Sequence, residues 1–205
     1  IDKTHLAKKL VLIALAFLGI ASAELLSAGS CPNNTVNVCC KINFTLFFKR
    51  MWYEYAKYPT PFEIGAKCVT AEYGLRTDGN VSVTNSQLDM SSNKPAEIVG
   101  YAVPVKNAKL KVVFPVSPSY NATTNYWVVG TDYHTYSVVY SCYNVPTNAH
   151  ATTVWILTRE RVPSASIVAQ AKNVMIQQGF YLEPLVETYQ NGKYVKTESI
   201  ADYYK

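Results

Sequence analysis

Trp52-Tyr53-Glu54-Tyr55-Ala56-Lys57 is where this chain begins to read as β-strand. Aromatic and β-branched residues suit a half-buried pleated surface, and the pattern recurs downstream. The runs Cys68–Leu75, Val81–Gln87, Ile98–Val103, Leu110–Phe114, Tyr126–Thr131, Tyr136–Cys142 and Thr152–Arg159 follow, separated by turn residues. Eight short strands with short connections predict an all-β barrel or sandwich. Asp78-Gly79 adds a hairpin signal, because a tight hairpin needs positive φ at its centre. Two further marks stand out: Thr131-Asp132-Tyr133, and Arg159 closing Val154-Trp155-Ile156-Leu157-Thr158. A barrel of about eight strands is just wide enough to hold one small ligand.

Some strands are apolar on both faces, as in Val138-Val139-Tyr140 and Val154-Trp155-Ile156-Leu157. One face lines the interior, so the other needs a cover. Residues 164–178 supply it. Ser164 can cap a helix after Pro163, Ile167, Val168, Ala171, Val174 and Met175 share one helical face, and Gly179 is a stop. This helix is expected to pack outside the barrel, which spans about residues 50–160. Leu185–Thr188 could add a short ninth strand, and a loose tail is expected from about residue 189.

The first residues read as a leader. Lys3, Lys8 and Lys9 precede an apolar run from Leu10, and Ala21-Ser22-Ala23 offers a cleavage site. The run is short for a span, which needs about 20 apolar residues, so stable membrane insertion is not expected. Residues 1–23 are thus read as a signal peptide and 24–205 as one secreted domain. Losing Lys3, Lys8, Lys9 and Asp2 lowers the formal charge from +5 to +3. The remaining charges are scattered, with no basic stripe for nucleic acid. Cys31, Cys39, Cys40, Cys68 and Cys142 all follow the leader, an odd count that leaves one thiol free or paired with a second copy. No C-x-x-C spacing supports a metal site. Asn33, Asn43, Asn80 and Asn121 begin glycosylation sequons.

Trp52–Pro59, the stretch Tyr126–Tyr133 running on to Cys142, and Trp155–Arg159 resemble, in order, the three signatures of the lipocalins. With Phe62-Glu63 and Cys68–Tyr73 they are most similar to the apolipoprotein D and insect bilin-binding branch. The resemblance covers roughly Cys31 to Thr188. It implies an eight-stranded antiparallel up-and-down β-barrel, with one C-terminal helix outside, carrying a small hydrophobic ligand. It also implies that Trp52 plugs the closed end and Arg159 lies across it. One departure is Arg50, which stands where the family usually has Gly.

By the same resemblance, Trp155 and Tyr73 point inward at the open half, and strand period adds Ala71, Leu157 and Thr153. Tyr101, Phe114, Tyr126 and Tyr140 are further lining candidates. The implied cargo is a bilin pigment such as biliverdin, or a fatty acid or steroid-like lipid; no cofactor is required. Haem is disfavoured, since His134 falls at a turn and His150 in a loop. The branch implies a Cys31–Cys142 disulfide. Its second bridge uses a C-terminal Cys that this chain lacks, so Cys39 or Cys40 is the expected partner of Cys68. The alternatives to a carrier are an interaction lipocalin without ligand and an isomerase using an unpaired Cys68. No catalytic motif supports an enzyme.

Overall fold

The computed structural model describes residues 25–32, 42–48, 51–60, 63–146 and 148–191. Residues 1–23, read above as a leader, and Asn33, Cys39, Cys40, Arg50 and Phe62 lie outside these. The described elements are β1 (Leu25–Ala28), α1 (Phe44–Phe47), β2 (Trp52–Lys57), β3 (Ala66–Leu75), β4 (Val81–Asp89) and β5 (Pro95–Lys106). After them come β6 (Lys109–Ser117), β7 (Tyr120–Thr131), β8 (Tyr136–Val145), β9 (Ala149–Thr158), α2 (Ala165–Gln177) and β10 (Val186–Glu187).

Each strand from β2 to β9 pairs antiparallel with the next, and β9 returns to β2, so the sheet closes on itself. Closure removes the free edges that an open sheet would present. Trp155–Thr158 of β9 pair with β2, while Ala149–Thr152 pair with β1. β2 and β3 pair only through Trp52↔Ala71 and Tyr53↔Thr70. Beyond that level residues 186–190 are inserted between them: β10 pairs with Ala56 and Lys57, and the Cys68 amide donates to Tyr189 O at 2.8 Å. Gln190 Nε2 reaches both Glu54 O and Val69 O at 2.9 Å. Residues 186–190 are therefore held in the wall.

Alternation along the strands builds two cores. Inside the barrel lie Trp52, Tyr73, Val81, Val83, Ala102, Leu110, Val112, Val128, Val139 and Leu157. Outside, under α2, lie Tyr58, Val129, Val138, Tyr140, Val154 and Ile156, with Ala171 and Met175 of the helix fully buried against them. Ser164 caps α2 by accepting from the Ile167 amide. The helix sits so close to β7 that a Cβ on Gly130 would meet Val174 Cγ1 at 2.5 Å. The turn at Asp78-Gly79 has Gly79 at φ +82°, the left-handed region glycine enters without a steric cost.

The strand centres lie where the sequence puts them, and β2 has the expected bounds; most of the others are longer. β1 and α1 are additions. α1 forms because Asn43 caps it, its side chain accepting from the Leu46 amide at 3.2 Å.

Candidate functional site

The closed end is built from α1, the start of β2 and the end of β9. Trp52 is fully buried and donates from Nε1 to Phe47 O at 3.0 Å. The Arg159 guanidinium lies 3.5 Å from the indole centroid, a cation–π contact worth on the order of 1 kcal/mol or more. Its N–H groups donate to the carbonyls of Leu46, Phe47, Met51 and Tyr133. These carbonyls belong to α1, to the residue before β2 and to the β7–β8 turn, so Arg159 ties the parts of the floor together. The turn itself is organised by Asp132, which accepts from the amides of His134, Thr135 and Tyr136. Burial alone would raise the Asp132 carboxyl, but the hydrogen bonds from Thr135 and these amides hold it below its usual value. Thr131 accepts from the Tyr133 amide and donates to Tyr136 O.

Above the floor, Tyr73 and Tyr126 share a hydrogen bond of 2.8 Å between their hydroxyls inside the barrel. Burial pushes Tyr73 up to about 12 and Tyr126 well above its ordinary value, so both are neutral at physiological pH. Tyr73 packs on Phe47 and Phe48 of the floor. It lies two residues past Ala71, the partner of Trp52, toward the Asp78-Gly79 turn. This corrects its expected place in the open half: Tyr73 belongs to the closed end.

Ala71, Phe114, Tyr126 and Trp155 face the same interior yet are only partly buried. In a closed cylinder, inward-facing residues can be wetted only through space within it or through its mouth. Leu157 and Thr153, on the Trp155 face of β9, are buried. Asn85 follows the inward parity of Val81 and Val83, and its Oδ1 is buried without a hydrogen-bond partner.

Two lining candidates face the other way. Tyr140 stacks on Phe180 and packs on Trp127, in the outer core beneath α2. Tyr101 alternates with the inward Gly100 and Ala102, and lies beneath Arg76. Gly100 is required there because a Cβ would meet Val113 O at 2.3 Å and the Phe114 ring at 2.6 Å, both of β6.

The open half carries charges that the sequence reading overlooked. Glu54 pairs across the sheet with Leu157, and Lys57 with Trp155, so both face inward. Two residues on one face of a regular strand stand an even number apart; here a bulge between Glu54 and Ala56 changes the register. Lys57 Nζ lies 2.9 Å from Glu54 Oε1 and 2.7 Å from Glu63 Oε2 of the β2–β3 connection. Trp155 Nε1 donates to the same Glu63 oxygen at 3.5 Å, and Thr188 of the inserted tail donates to Glu54 Oε1. The only legible signal was a pair of charges within an otherwise buried strand.

Burial, reinforced by Glu63, pushes the Glu54 carboxyl up to about 7 despite Lys57. Burial would lower Lys57, but Glu54 and Glu63 outweigh it and raise the ammonium. A carboxyl raised on folding keeps its proton more tightly in the native state, so its contribution is complete below about 4.5 and lost through about 7. Stability is expected to fall as pH rises across that window. Urea midpoints at pH 4.5, 6 and 7.5 should show this slope, and Glu54→Gln should flatten it. An equal slope in the variant would assign the pH dependence to other groups.

The disulfide joins Cys31 to Cys142. Cys68 is a buried free thiol and not the bridged residue expected. A residue linking two copies would therefore have to be sought at Cys39 or Cys40. His134 lies in the β7–β8 turn; His150, expected in a loop, belongs to β9, where Nδ1 meets Gly29 O at 2.9 Å. Its parity is opposite to that of Trp155, so it faces away from the interior. Asn43 and Asn121 are exposed and Asn80 half-buried.

Residues 48–190 match the family model described as a lipocalin-like domain. The chain is 34% identical over 187 residues to apolipoprotein D of Bos taurus, covering 87% of this chain and 93% of that one. It is 30% identical over 169 residues to the bilin-binding protein of Pieris brassicae, covering 80% and 86%. Among solved structures, insecticyanin from the tobacco hornworm Manduca sexta superposes with a TM-score of 0.72 at 24% identity, covering 80% of this chain and 88% of that one.

Proposed function

Because this chain belongs to the lipocalin family, on the apolipoprotein D and insect bilin-binding branch, we propose that it is a secreted carrier of one small hydrophobic ligand held inside the barrel. The observation that carries this reading is the set of inward-facing but partly exposed residues, Ala71, Phe114, Tyr126 and Trp155. An interior packed only for stability would bury these side chains. Apolar walls with a few placed polar groups are the usual make-up of a ligand site. Here the polar groups are the Tyr73–Tyr126 hydroxyl pair, Asn85 and the ions beside Trp155. Tyr101 and Tyr140 have no part in it. The cargo is a bilin pigment or a fatty acid- or steroid-like lipid. The bilin reading is favoured by the relative named for bilin binding. The leader and the sequon asparagines, Asn121 foremost, are consistent with export.

Native mass spectrometry and absorbance of the purified protein test the reading. A retained pigment gives colour and an added mass. Without one, biliverdin or a steroid is expected to quench Trp fluorescence at micromolar concentrations. Trp155→Ala should weaken binding roughly tenfold, about 1.4 kcal/mol, and leave folding intact. No quenching by bilins, steroids or fatty acyl esters would favour a lipocalin whose role lies in its surface.

A further inference from the structure

On the outer wall, β7 and β8 part toward the open end. Their registered pairs run from Thr131↔Ser137 only to Trp127↔Tyr140, although β7 begins at Tyr120 and β8 continues to Val145. Beyond that point side chains bridge the two strands. Asn125 Nδ2 donates to Cys142 O at 3.1 Å, and Thr124 and Ser141 share a hydroxyl hydrogen bond of 2.7 Å. The parting leaves a cleft of about 250 Å³ against the N-terminal arm, lined by Cys31, Thr123, Asn125, Cys142, Tyr143 and Asn144. Thr123, Asn125, Tyr143 and Asn144 are exposed, and Cys31 is half-buried. The cleft therefore opens to solvent beside the Cys31–Cys142 disulfide, with an uncharged and largely polar lining.

Asn121 opens the sequon Asn121-Ala122-Thr123, whose last residue lines this cleft. Side chains alternate across a strand, so Asn121, Thr123, Asn125 and the outer-core Trp127 share the outer face of β7. Two residues along a strand span about 7 Å, which brings the first sugar on an exposed Asn121 to the edge of the cleft. We propose that Asn121 is an N-glycosylation site whose innermost N-acetylglucosamine seats in this cleft and shields the Cys31–Cys142 disulfide. The inference rests on the secretion part of the carrier reading. In the transfer, Asn121 Nδ2 attacks C1 of a sugar held on a lipid pyrophosphate. The C1–N bond forms, the C1–O bond to the pyrophosphate breaks, the amide gives up one proton, and the lipid pyrophosphate leaves. The seat suits a sugar: hydroxyl and amide groups of Thr123, Asn125 and Asn144 can bond its polar edges, and Tyr143 adds a ring with an apolar face. Asn144 is held in place, since its Oδ1 accepts from the Cys31 amide at 2.7 Å. At two other sequons the polar groups are engaged within the fold. Asn43 Oδ1 caps α1, and Ser82, the hydroxyl residue of the Asn80 sequon, donates to Gly74 O at 3.2 Å.

The test uses the full chain expressed in cultured insect cells and recovered from the medium. Glycopeptide mass spectrometry is expected to find N-acetylglucosamine on Asn121. Reduction of Cys31–Cys142 in the folded protein by dithiothreitol, followed by mass, should run about threefold faster or more in Asn121→Gln, because exchange depends on access to the sulfur. The wild-type chain made without glycans in a bacterial periplasm should match that variant, which separates the sugar's effect from the substitution's. Asn33→Gln removes the sequon that lies two residues past Cys31 and should leave the rate at the wild-type value. An unmodified Asn121 in the secreted protein would overturn the site. A rate unchanged in Asn121→Gln, or raised only in Asn33→Gln, would overturn the seat. A chain that folds but stays inside the cells would instead sink the secretion reading, and this inference with it.

Discussion

Trp52→Ala is expected to cost about 3–5 kcal/mol, the range for emptying a buried large aromatic site. The indole is fully buried and touches Phe47, and its loss deprives the Phe47 carbonyl of a donor. It also leaves the Arg159 guanidinium without the face it covers at 3.5 Å. Since whole domains are stable by only about 5–15 kcal/mol, the variant should lose much of its margin. Urea unfolding followed by far-ultraviolet circular dichroism measures this without relying on Trp emission. A loss below about 1 kcal/mol would mean that α1 and Arg159 hold the floor without the indole.

The second large effect is expected at the disulfide. Cys31 and Cys142 are 111 residues apart in sequence, and cross-linking a loop of about 100 residues removes on the order of 4–5 kcal/mol of unfolded-state entropy. The double variant Cys31→Ser, Cys142→Ser should lower the Tm by roughly 10–15 °C, given about 2–4 °C per kcal/mol in a domain of this size. Calorimetry reads it directly. The variant also frees the N-terminal arm, whose Cys31 amide bonds Asn144 Oδ1 at 2.7 Å beyond the end of β1. A shift under about 3 °C would mean that β1 pairing alone keeps the arm in place.

Most of the barrel was legible because period-two alternation and turn chemistry are local. Trp52–Lys57 could be bounded from its own residues, and Asp78-Gly79 announced its turn. Which face of a strand is inside is not local when both faces are buried. Val139 and Tyr140 are equally apolar neighbours, and only the position of α2 sends Tyr140 outward. Tyr101 was misplaced for a related reason. Phe114 of the next strand fills the space in front of Gly100, so the small residues Gly100 and Ala102 face inward and the large one faces out. The Glu54–Lys57 pair was hidden because their separation implies opposite faces in a regular strand, and no pattern in the sequence marks the bulge. The Cys31–Cys142 link and the Arg159–Trp52 contact were expected only through the family resemblance; spacing alone left them open.

The segment between β2 and β3 sets an order on how this protein can be completed. Every other seam of the cylinder joins strands that lie within residues 52–158, but this gap is filled by residues 186–190. During synthesis the first of those strands waits more than a hundred residues for the piece that finishes its own side. Until the ribosome has released that stretch, the vessel has a slit running down from its rim. A protease clipping just behind Leu185 would restore the same slit in the mature protein. The piece that renders the container tight is thus made after all eight strands that enclose it.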